Sequence, residues 1–256
     1  METYTLDEFV EIIRKLRAPD GCPWDKEQTH ETLKDAMLEE AYEVVESINN
    51  KDMSNLKEEL GDVLLQVVMH SVIAQEQNEF TLEDVISEVT TKMIRRHPHV
   101  FSDTLVEDSE HVLRNWEDIK KQEHKETTVS EGMQRIANAL PANIRAQKVQ
   151  KKAAKVGFDF ATYEEALSKV YEEILELSDA RKTGEICDIE EEYGDLMFSV
   201  VNLSRFLQLN AENSLTNATN KFINRFVGVE RLASSKHQAL SDLTIDEMND
   251  LWKRIK

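Results

Sequence analysis

Acidic side chains recur in this sequence in two patterns that could hold a divalent cation. The pattern E-E-x-x-E contributes Glu173 and Glu176, and the pattern E-x-x-D contributes Glu192 and Asp195. Because consecutive residues of an α-helix are rotated by about 100°, two acids spaced three apart lie on one face of their helix. If two antiparallel helices carry these pairs, four carboxylates meet at one point.

Such a group of carboxylates indicates a metal site. Carboxylates packed together repel one another, or raise their own pKa values, unless a cation lies between them. Oxygen-only ligands suit Mg²⁺, or Mn²⁺ as a substitute, whereas zinc prefers nitrogen and sulfur. The alternative is a solvated helix face, because Asp and Glu supply 50 of the 256 residues.

The acidic patterns occur twice, which indicates an internal repeat. At an offset of 133 positions the four acids are matched by a second set that could form another metal site: Glu40, Glu43, Glu59 and Asp62. Further along, Lys92 and Arg96 match Lys221 and Arg225 at an offset of 129, so the second copy has a shorter connection. Two copies of one helical unit are the simplest explanation.

Each copy also places a glycine inside the E-x-G-D step, at Gly61 and Gly194. A glycine in a helix interior costs about 1 kcal/mol relative to alanine. A solvated face gains nothing from that loss. We therefore expect another helix or a ligand to approach these positions, with tight helix packing as the simpler alternative.

The sequence contains no glycine-rich phosphate loop of the G-x-x-x-x-G-K-[ST] or G-x-G-x-x-G type. Phosphates would instead be held by metal ions and basic side chains. Lys221 and Arg225 stand one helical turn apart and are candidates for that role. Trp252 either stacks on a base or closes the core, and core packing is the more common role of a single tryptophan.

The elements that must position these residues are helices. Only 7 glycines and 4 prolines argue against a sandwich, a barrel or a dinucleotide-binding α/β fold, and apolar residues recur at helical spacing nearly throughout. The spacing predicts acid-bearing helices over 162–182 and 186–209. The chain is predicted to be all-α, with domains over 1–121 and 135–256 and a polar linker over 122–134.

Charge and cysteine content limit the partners and the compartment. A net charge of −19 disfavours binding to nucleic acid or to anionic membranes. The richest apolar stretch, 63–74, is too short to span a bilayer, and the first residues lack the features of a secretory signal. Two cysteines, Cys22 and Cys187, cannot build a disulfide framework, so we expect a cytoplasmic protein.

Several segments together resemble the full-length, two-domain MazG family of nucleoside triphosphate pyrophosphohydrolases. They span nearly the whole chain: GCPWDKEQT (21–29), LEEAYE (38–43), EELGD (58–62), RRHPHVF (95–101), RAQK (145–148), VGFD (156–159), KVYEEILE (169–176) and EEYGD (191–195). The set is highly specific, although E-E-x-x-E alone is not.

The resemblance implies two tandem four-helix-type MazG domains that work as a homodimer. It implies Mg²⁺-dependent cleavage of nucleoside triphosphates between the α- and β-phosphates, with broad base selectivity and with activity mainly in the second half. The implied metal ligands are Glu173, Glu176, Glu192 and Asp195. The residues implied to line the nucleotide site are Lys169, Lys221, Arg225 and Trp252.

Two further expectations concern single positions. Glu172, the remaining carboxylate of the second E-E-x-x-E motif, is our candidate for orienting or deprotonating the attacking water. Asp188 stands where the family can place a lysine, so one phosphate contact or interdomain tie is in doubt.

Two other functions fit parts of the sequence. A ferritin-like di-iron site requires E-x-x-H on two helices, and only Glu27 and His30 match it, so we reject that class. An acidic helical interaction module would carry the same acids as a solvated face, and stabilisation by Mg²⁺ would distinguish the two cases. His97 and His99 flank Pro98 and are interpreted as a turn rather than a metal site.

Overall fold

The computed structural model describes residues 3–255, and every regular element within that range is a helix. The predicted all-α fold is therefore confirmed. The chain divides into two compact units, Met1–Lys120 (unit 1) and Lys121–Lys256 (unit 2).

Unit 1 contains two long helices that form an antiparallel hairpin, together with shorter helices around it. Its elements are α1 (Leu6–Arg17), α2 (Pro23–Glu27), α3 (Lys34–Asn50), α4 (Met53–Glu76), α5 (Leu82–Arg96), α6 (Pro98–Phe101) and the greater part of α7 (Ser109–Glu123). A capping box begins α5, with Thr81 and Asp84 bonded reciprocally. His97 ends α5 and precedes α6, which is the turn expected there.

The core of unit 1 lies between α1 and the second half of α4. Ile13 and Val10 of α1 are buried against a continuous apolar stripe of α4, which includes Val68, Val72 and Ile73. These side chains recur three to four residues apart, the spacing that puts apolar residues on one helix face. The first half of α4, which carries Glu59 and Asp62, contributes no residue to this core cluster, and Glu59 there meets Glu40 and Glu43 of α3.

Unit 2 repeats the long helical hairpin. Its elements are α8 (Val129–Gln134), α9 (Ala142–Ala154), α10 (Tyr163–Thr183), α11 (Ile186–Phe206), α12 (Ala211–Ser235), a short 3-10 turn (Leu240–Asp242) and α13 (Ile245–Ile255). The segment 122–134, which the sequence analysis treated as a linker, includes the end of α7 and all of α8. A capping box of Thr128 and Glu131 begins α8.

Side-chain hydrogen bonds join α9 to the end of α11. Gln147 donates from Nε2 to Ser204 Oγ and to the carbonyl of Leu209, and Gln150 donates to the carbonyl of Phe198. The Arg205 guanidinium pairs with Asp159 at 2.6 Å. These contacts fix the segment that leads into α10, the first acid-bearing helix.

In both units the hairpin is closed by a connection of two residues whose first member adopts a left-handed conformation. Lys51 (φ 56°) stands there between α3 and α4, and Gly184 (φ 81°) stands there between α10 and α11. Glycine adopts this conformation without steric cost, whereas lysine does not. The short connection forces the two helices of each hairpin to run antiparallel and in contact.

No helix within residues 3–255 combines the length and the hydropathy that crossing a membrane requires.

Candidate functional site

Three predicted metal ligands of unit 2 meet between α10 and α11. Glu173, Glu192 and Asp195 each offer a carboxylate oxygen, and these oxygens lie within 4.8 Å of one another. Glu173 is only 4% exposed, and it lies on the buried face of α10 that also carries Ala166 and Val170. Glu176, the fourth predicted ligand, lies outside this group, with a side chain about half exposed (47%).

The crowding of these acids is visible in their electrostatics. The pKa of Glu192 lies above its ordinary value, first because burial disfavours the charged form and then because Glu176 and Glu173 add negative charge. Glu176 therefore acts on the site electrostatically. An arrangement of this kind is stabilised by any cation that enters it.

Lys169 supplies a positive charge to the same group. Its Nζ atom lies 2.7 Å from Oε1 of Glu172, 2.8 Å from Oε1 of Glu173 and 3.8 Å from Oε2 of Glu176. The hydrogen bonds to Glu172 and Glu173 raise the pKa of Lys169 above its ordinary value. Of these acids, Glu172 is the most exposed, and it lies at the outer edge of the cluster.

Unit 1 also brings three predicted acids together, without the lysine but with a different membership: Glu43, the counterpart of Glu176, belongs to the group, and Asp62, the counterpart of Asp195, lies outside it. Glu40, Glu43 and Glu59 offer carboxylate oxygens within 4.8 Å of one another. Burial is the main cause that raises the pKa values of both Glu40 and Glu59, and the charges of Asp62 and Glu43 respectively add to it. Ala36 occupies the position that corresponds to Lys169 at the offset of 133.

The predicted nucleotide residues Arg225 and Trp252 are in contact at the α12–α13 pair. The Arg225 guanidinium carbon lies 5.8 Å from the centroid of the Trp252 ring, which also packs 5.1 Å from Phe222. Trp252 is half-buried against the apolar cluster around Leu251. Lys221 is exposed on the same helix as Arg225.

Within residues 3–255, no hydrogen bond, ion pair or ring contact joins this Arg–Trp pair to the carboxylates of unit 2. The structure thus forms the two predicted halves of the site, the acids and the aromatic–cationic pair, on separate helix pairs of one chain.

Unit 1 contains an equivalent pair that the sequence pattern did not indicate. The Arg96 guanidinium carbon lies 5.3 Å from the centroid of the Trp116 ring, and His97 packs edge-on against the same ring. Arg96 was recognised as the counterpart of Arg225. Trp116 was not matched to Trp252 because the two tryptophans follow their arginines at different spacings.

The two glycines of the E-x-G-D steps face open space. A Cβ atom added to Gly61 or Gly194 would meet no described atom within 4 Å. Tight packing within either unit, one explanation considered for these glycines, is therefore wrong. The space beside both glycines is open to a ligand or to another helix.

The donor set decides what the two clusters can bind. Both three-membered groups within the described residues consist of carboxylates alone, which is the ligand set of a hard divalent cation. His30, the only E-x-x-H histidine considered, stacks instead on His70. Neither group includes a histidine, and both offer the oxygen ligands that a hard divalent cation prefers.

Comparison with known proteins places these features in a family. Residues 28–101 and 161–228 each match the family described as the MazG nucleotide pyrophosphohydrolase domain. These two segments contain the four predicted acids of each repeat, together with Lys92 and Arg96 in the first and Lys221 and Arg225 in the second.

Similar proteins match along nearly their whole length. The chain is 45% identical over 250 residues to the nucleoside triphosphate pyrophosphohydrolase/pyrophosphatase MazG of Thermotoga maritima, covering 98% of this chain and 95% of that protein. It is 41% identical over 254 residues to a nucleoside triphosphate pyrophosphohydrolase of Escherichia coli, with 98% and 97% covered. A crystal structure of a mazG-related protein from Thermotoga maritima shares 33% identity, covers 45% of this chain and 99% of that one, and has a TM-score of 0.39.

Proposed function

The chain belongs to the MazG nucleotide pyrophosphohydrolase family, and we propose that, as a nucleoside triphosphate pyrophosphohydrolase, it works with Mg²⁺ at the carboxylates of unit 2. It cleaves NTPs and dNTPs between the α- and β-phosphates, giving the nucleoside monophosphate and pyrophosphate. The observation that carries this proposal is the convergence of Glu173, Glu192 and Asp195 within 4.8 Å.

The choice of unit 2 rests on a difference between the repeats. Both units have a three-carboxylate cluster, but only unit 2 adds an ammonium group at Lys169. A triphosphate carries several negative charges and needs positive charge beyond that of its metal ion. Unit 1 has Ala36 at the corresponding position, and its cluster is a second metal site with weaker phosphate binding.

Mg²⁺ is the cofactor that the donor set fits best, and Mn²⁺ can replace it. Glu173, Glu192 and Asp195 would hold the cation, and Glu176 would complete the set. When bound, such a cation supplies Lewis-acid polarisation of the phosphates and lowers the pKa of a coordinated water. Burial, and then the neighbouring acids Glu176 and Glu173, raise the pKa of Glu192, and a bound cation would offset the repulsion from those acids.

The remaining roles belong to side chains of the chain itself. Glu172, at the edge of the cluster, orients or deprotonates the attacking water. Lys169, Lys221 and Arg225 offset the negative charge of the phosphates. Trp252 provides a ring face for the base, and because stacking tolerates every base, this contact supports broad base selectivity.

A homodimer is supported by the apolar residues that border the acids. Leu38, Tyr42 and Leu60 of unit 1 are more than half exposed. Their counterparts at the offset of 133, Tyr171, Leu175 and Tyr193, are exposed as well. Repeated apolar exposure on the acid-bearing hairpins is typical of a buried interface, and a second copy of the chain would cover it.

The setting proposed for this reaction is the cytoplasm, with no nucleic-acid or membrane partner. Cys22 and Cys187 are both unpaired, which suits a reducing compartment. The net charge of −19 disfavours polyanionic partners.

The test is pyrophosphate release from a panel of triphosphates with Mg²⁺. Asp195→Asn and Glu173→Gln should each lower kcat/KM by at least about a hundredfold, the usual scale for loss of a group that stabilises transition-state charge. Asp179→Asn, an exposed change on α10 outside the cluster, is the matched control and should leave turnover unchanged. Undiminished turnover in either cluster variant, with helical circular dichroism intact, would contradict the assignment to unit 2.

A further inference from the structure

The ammonium group of Lys169 lies against the carboxylate cluster of unit 2, where a metal ion would otherwise neutralise the acids. Its Nζ atom contacts Glu173, the most buried acid of the group, at 2.8 Å, and reaches Glu172 and Glu176 at 2.7 and 3.8 Å. The lysine side chain is itself only 34% exposed. One ammonium group thus contacts three carboxylates of α10. One of these is Glu173, which a bound metal ion would need as a ligand.

The first repeat lacks this feature. Ala36 stands at the corresponding position, and none of Glu40, Glu43 and Glu59 has an ion-pair partner among the described residues. Glu59 is 9% exposed, so unit 1 keeps a buried acid uncompensated, whereas unit 2 compensates its buried acid with a lysine.

We propose that Lys169 is the resident counterion of the unit 2 cluster, so that unit 2 takes up its divalent cation together with the triphosphate, whereas unit 1 binds free cation. This inference rests on the proposed function of unit 2 as the catalytic site.

The physical reason is competition for Glu173. A free divalent cation that binds Glu173 must displace the ammonium group of Lys169 from it. The displaced ammonium group then lies close to the doubly positive ion, and the two repel. A triphosphate provides the displaced ammonium group with new anionic partners. Because the lysine side chain is long and flexible, it can turn from the carboxylates to the phosphates without movement of the helix.

Cation and nucleotide therefore assist each other in unit 2. Each raises the affinity of the other by the same factor, as linkage requires. Unit 1 has no competing ammonium group, so its affinity for the free cation does not depend on nucleotide.

The experiment measures Mn²⁺ binding without nucleotide, using water-proton relaxation on the full chain. Unit 1 is silenced by Glu40→Gln together with Glu59→Gln, so that only unit 2 reports. In this background Lys169→Met, which keeps the apolar stem and removes the charge, should bind free Mn²⁺ about tenfold more tightly than its parent. Lys182→Met is the matched control, because Lys182 pairs with Asp179 farther along the same helix, and it should not change the affinity.

The mirror experiment uses unit 1. With unit 2 silenced by Glu173→Gln and Glu192→Gln, Ala36→Lys should weaken free Mn²⁺ binding by a similar factor. Circular dichroism confirms that each variant keeps its helices.

The outcomes separate the two proposals. If the parent binds Mn²⁺ in unit 2 and the intact chain releases pyrophosphate, but Lys169→Met binds Mn²⁺ no more tightly, the counterion role of Lys169 is overturned and the proposed function stands. If unit 2 binds no Mn²⁺ in any variant and Asp195→Asn leaves turnover unchanged, the metal site itself is overturned.

Discussion

The imidazole rings of His30 and His70 stack in unit 1 with their Nδ1 atoms 2.8 Å apart. At this distance one nitrogen donates and the other accepts, so the pair holds a single shared proton between the two atoms. Burial, and then the charge of His30, lower the pKa of His70 below its ordinary value. The folded state therefore resists protonation of His70.

We expect the stability of unit 1 to fall as the pH drops from about 6.5, the pKa of an unperturbed histidine, through the lower pKa of folded His70. The unfolded chain binds more protons in this range, so acid favours unfolding. His70→Gln should flatten the dependence, as measured by urea unfolding between pH 7.5 and 5.5. His237→Asn, at an exposed position of unit 2, should keep the wild-type slope. If the stability of His70→Gln changes with pH as steeply as that of the wild type, the histidine pair does not cause the pH dependence.

Glu59 predicts a pH dependence of the opposite sign when no metal ion is present. Its folded pKa is raised by burial and by Glu43, so its contribution to stability is complete below the unfolded pKa near 4.5 and is lost as the pH rises through the folded pKa. In EDTA at pH 7.5, Glu59→Gln should have a higher Tm than the wild type. The difference in Tm should disappear as the pH falls towards 4.5. Thermal melts measure this effect, and Glu58→Gln at the exposed neighbouring position should not reproduce it.

A substitution at Trp252 can distinguish a role in stacking on the substrate base from a role in core packing. Trp252→Leu keeps an apolar side chain in the cluster around Leu251 and removes the aromatic face. Since stacking on a base is worth about 1–3 kcal/mol, we expect KM for triphosphates to rise about fivefold or more. Steady-state pyrophosphate release measures it. Trp116→Leu, the corresponding change in unit 1, should leave KM unchanged, and an unchanged KM in Trp252→Leu would assign Trp252 to packing alone.

Asp188 lies on the face of α11 that carries Glu192 and Asp195, because these positions are four and seven residues apart. A lysine there would bring a positive charge towards the phosphates. Asp188→Lys should lower KM for triphosphates by about two- to fivefold, the scale of an exposed charge interaction. Glu190→Lys makes the same charge change on another face of α11 and should have no such effect, so a response to both variants would indicate a general charge effect.

The acid-bearing helices were predictable because their signal is local. Helical periodicity indicated 162–182 and 186–209, and the structure has Tyr163–Thr183 and Ile186–Phe206. The i, i+3 spacing also placed each acidic pair on one face. The two acidic pairs meet because the connection between their helices has only two residues. The sequence indicated this connection only by a glycine between the two predicted helices.

Other parts of the site were harder to predict for physical reasons. The contact of Lys169 with Glu173 has the i, i+4 spacing of a helical ion pair, but neither residue type indicates that the glutamate is buried. Trp116 meets Arg96 from a different helix, so no fixed spacing predicts the pair. The start of α12 is rich in Asn and Thr, which hides its apolar periodicity, and the Asn210 side chain caps it.

The two-residue turns that begin at Lys51 and Gly184 set the distances between the carboxylates of the two helices in each hairpin. Adding one residue would rotate the following acids by about 100° around the helix axis and carry them out of reach of their partners. Insertions of even one residue at either turn should therefore be far more damaging than long insertions in the segments outside the hairpins. The spacing of both carboxylate clusters is therefore set by four connecting residues that belong to neither cluster.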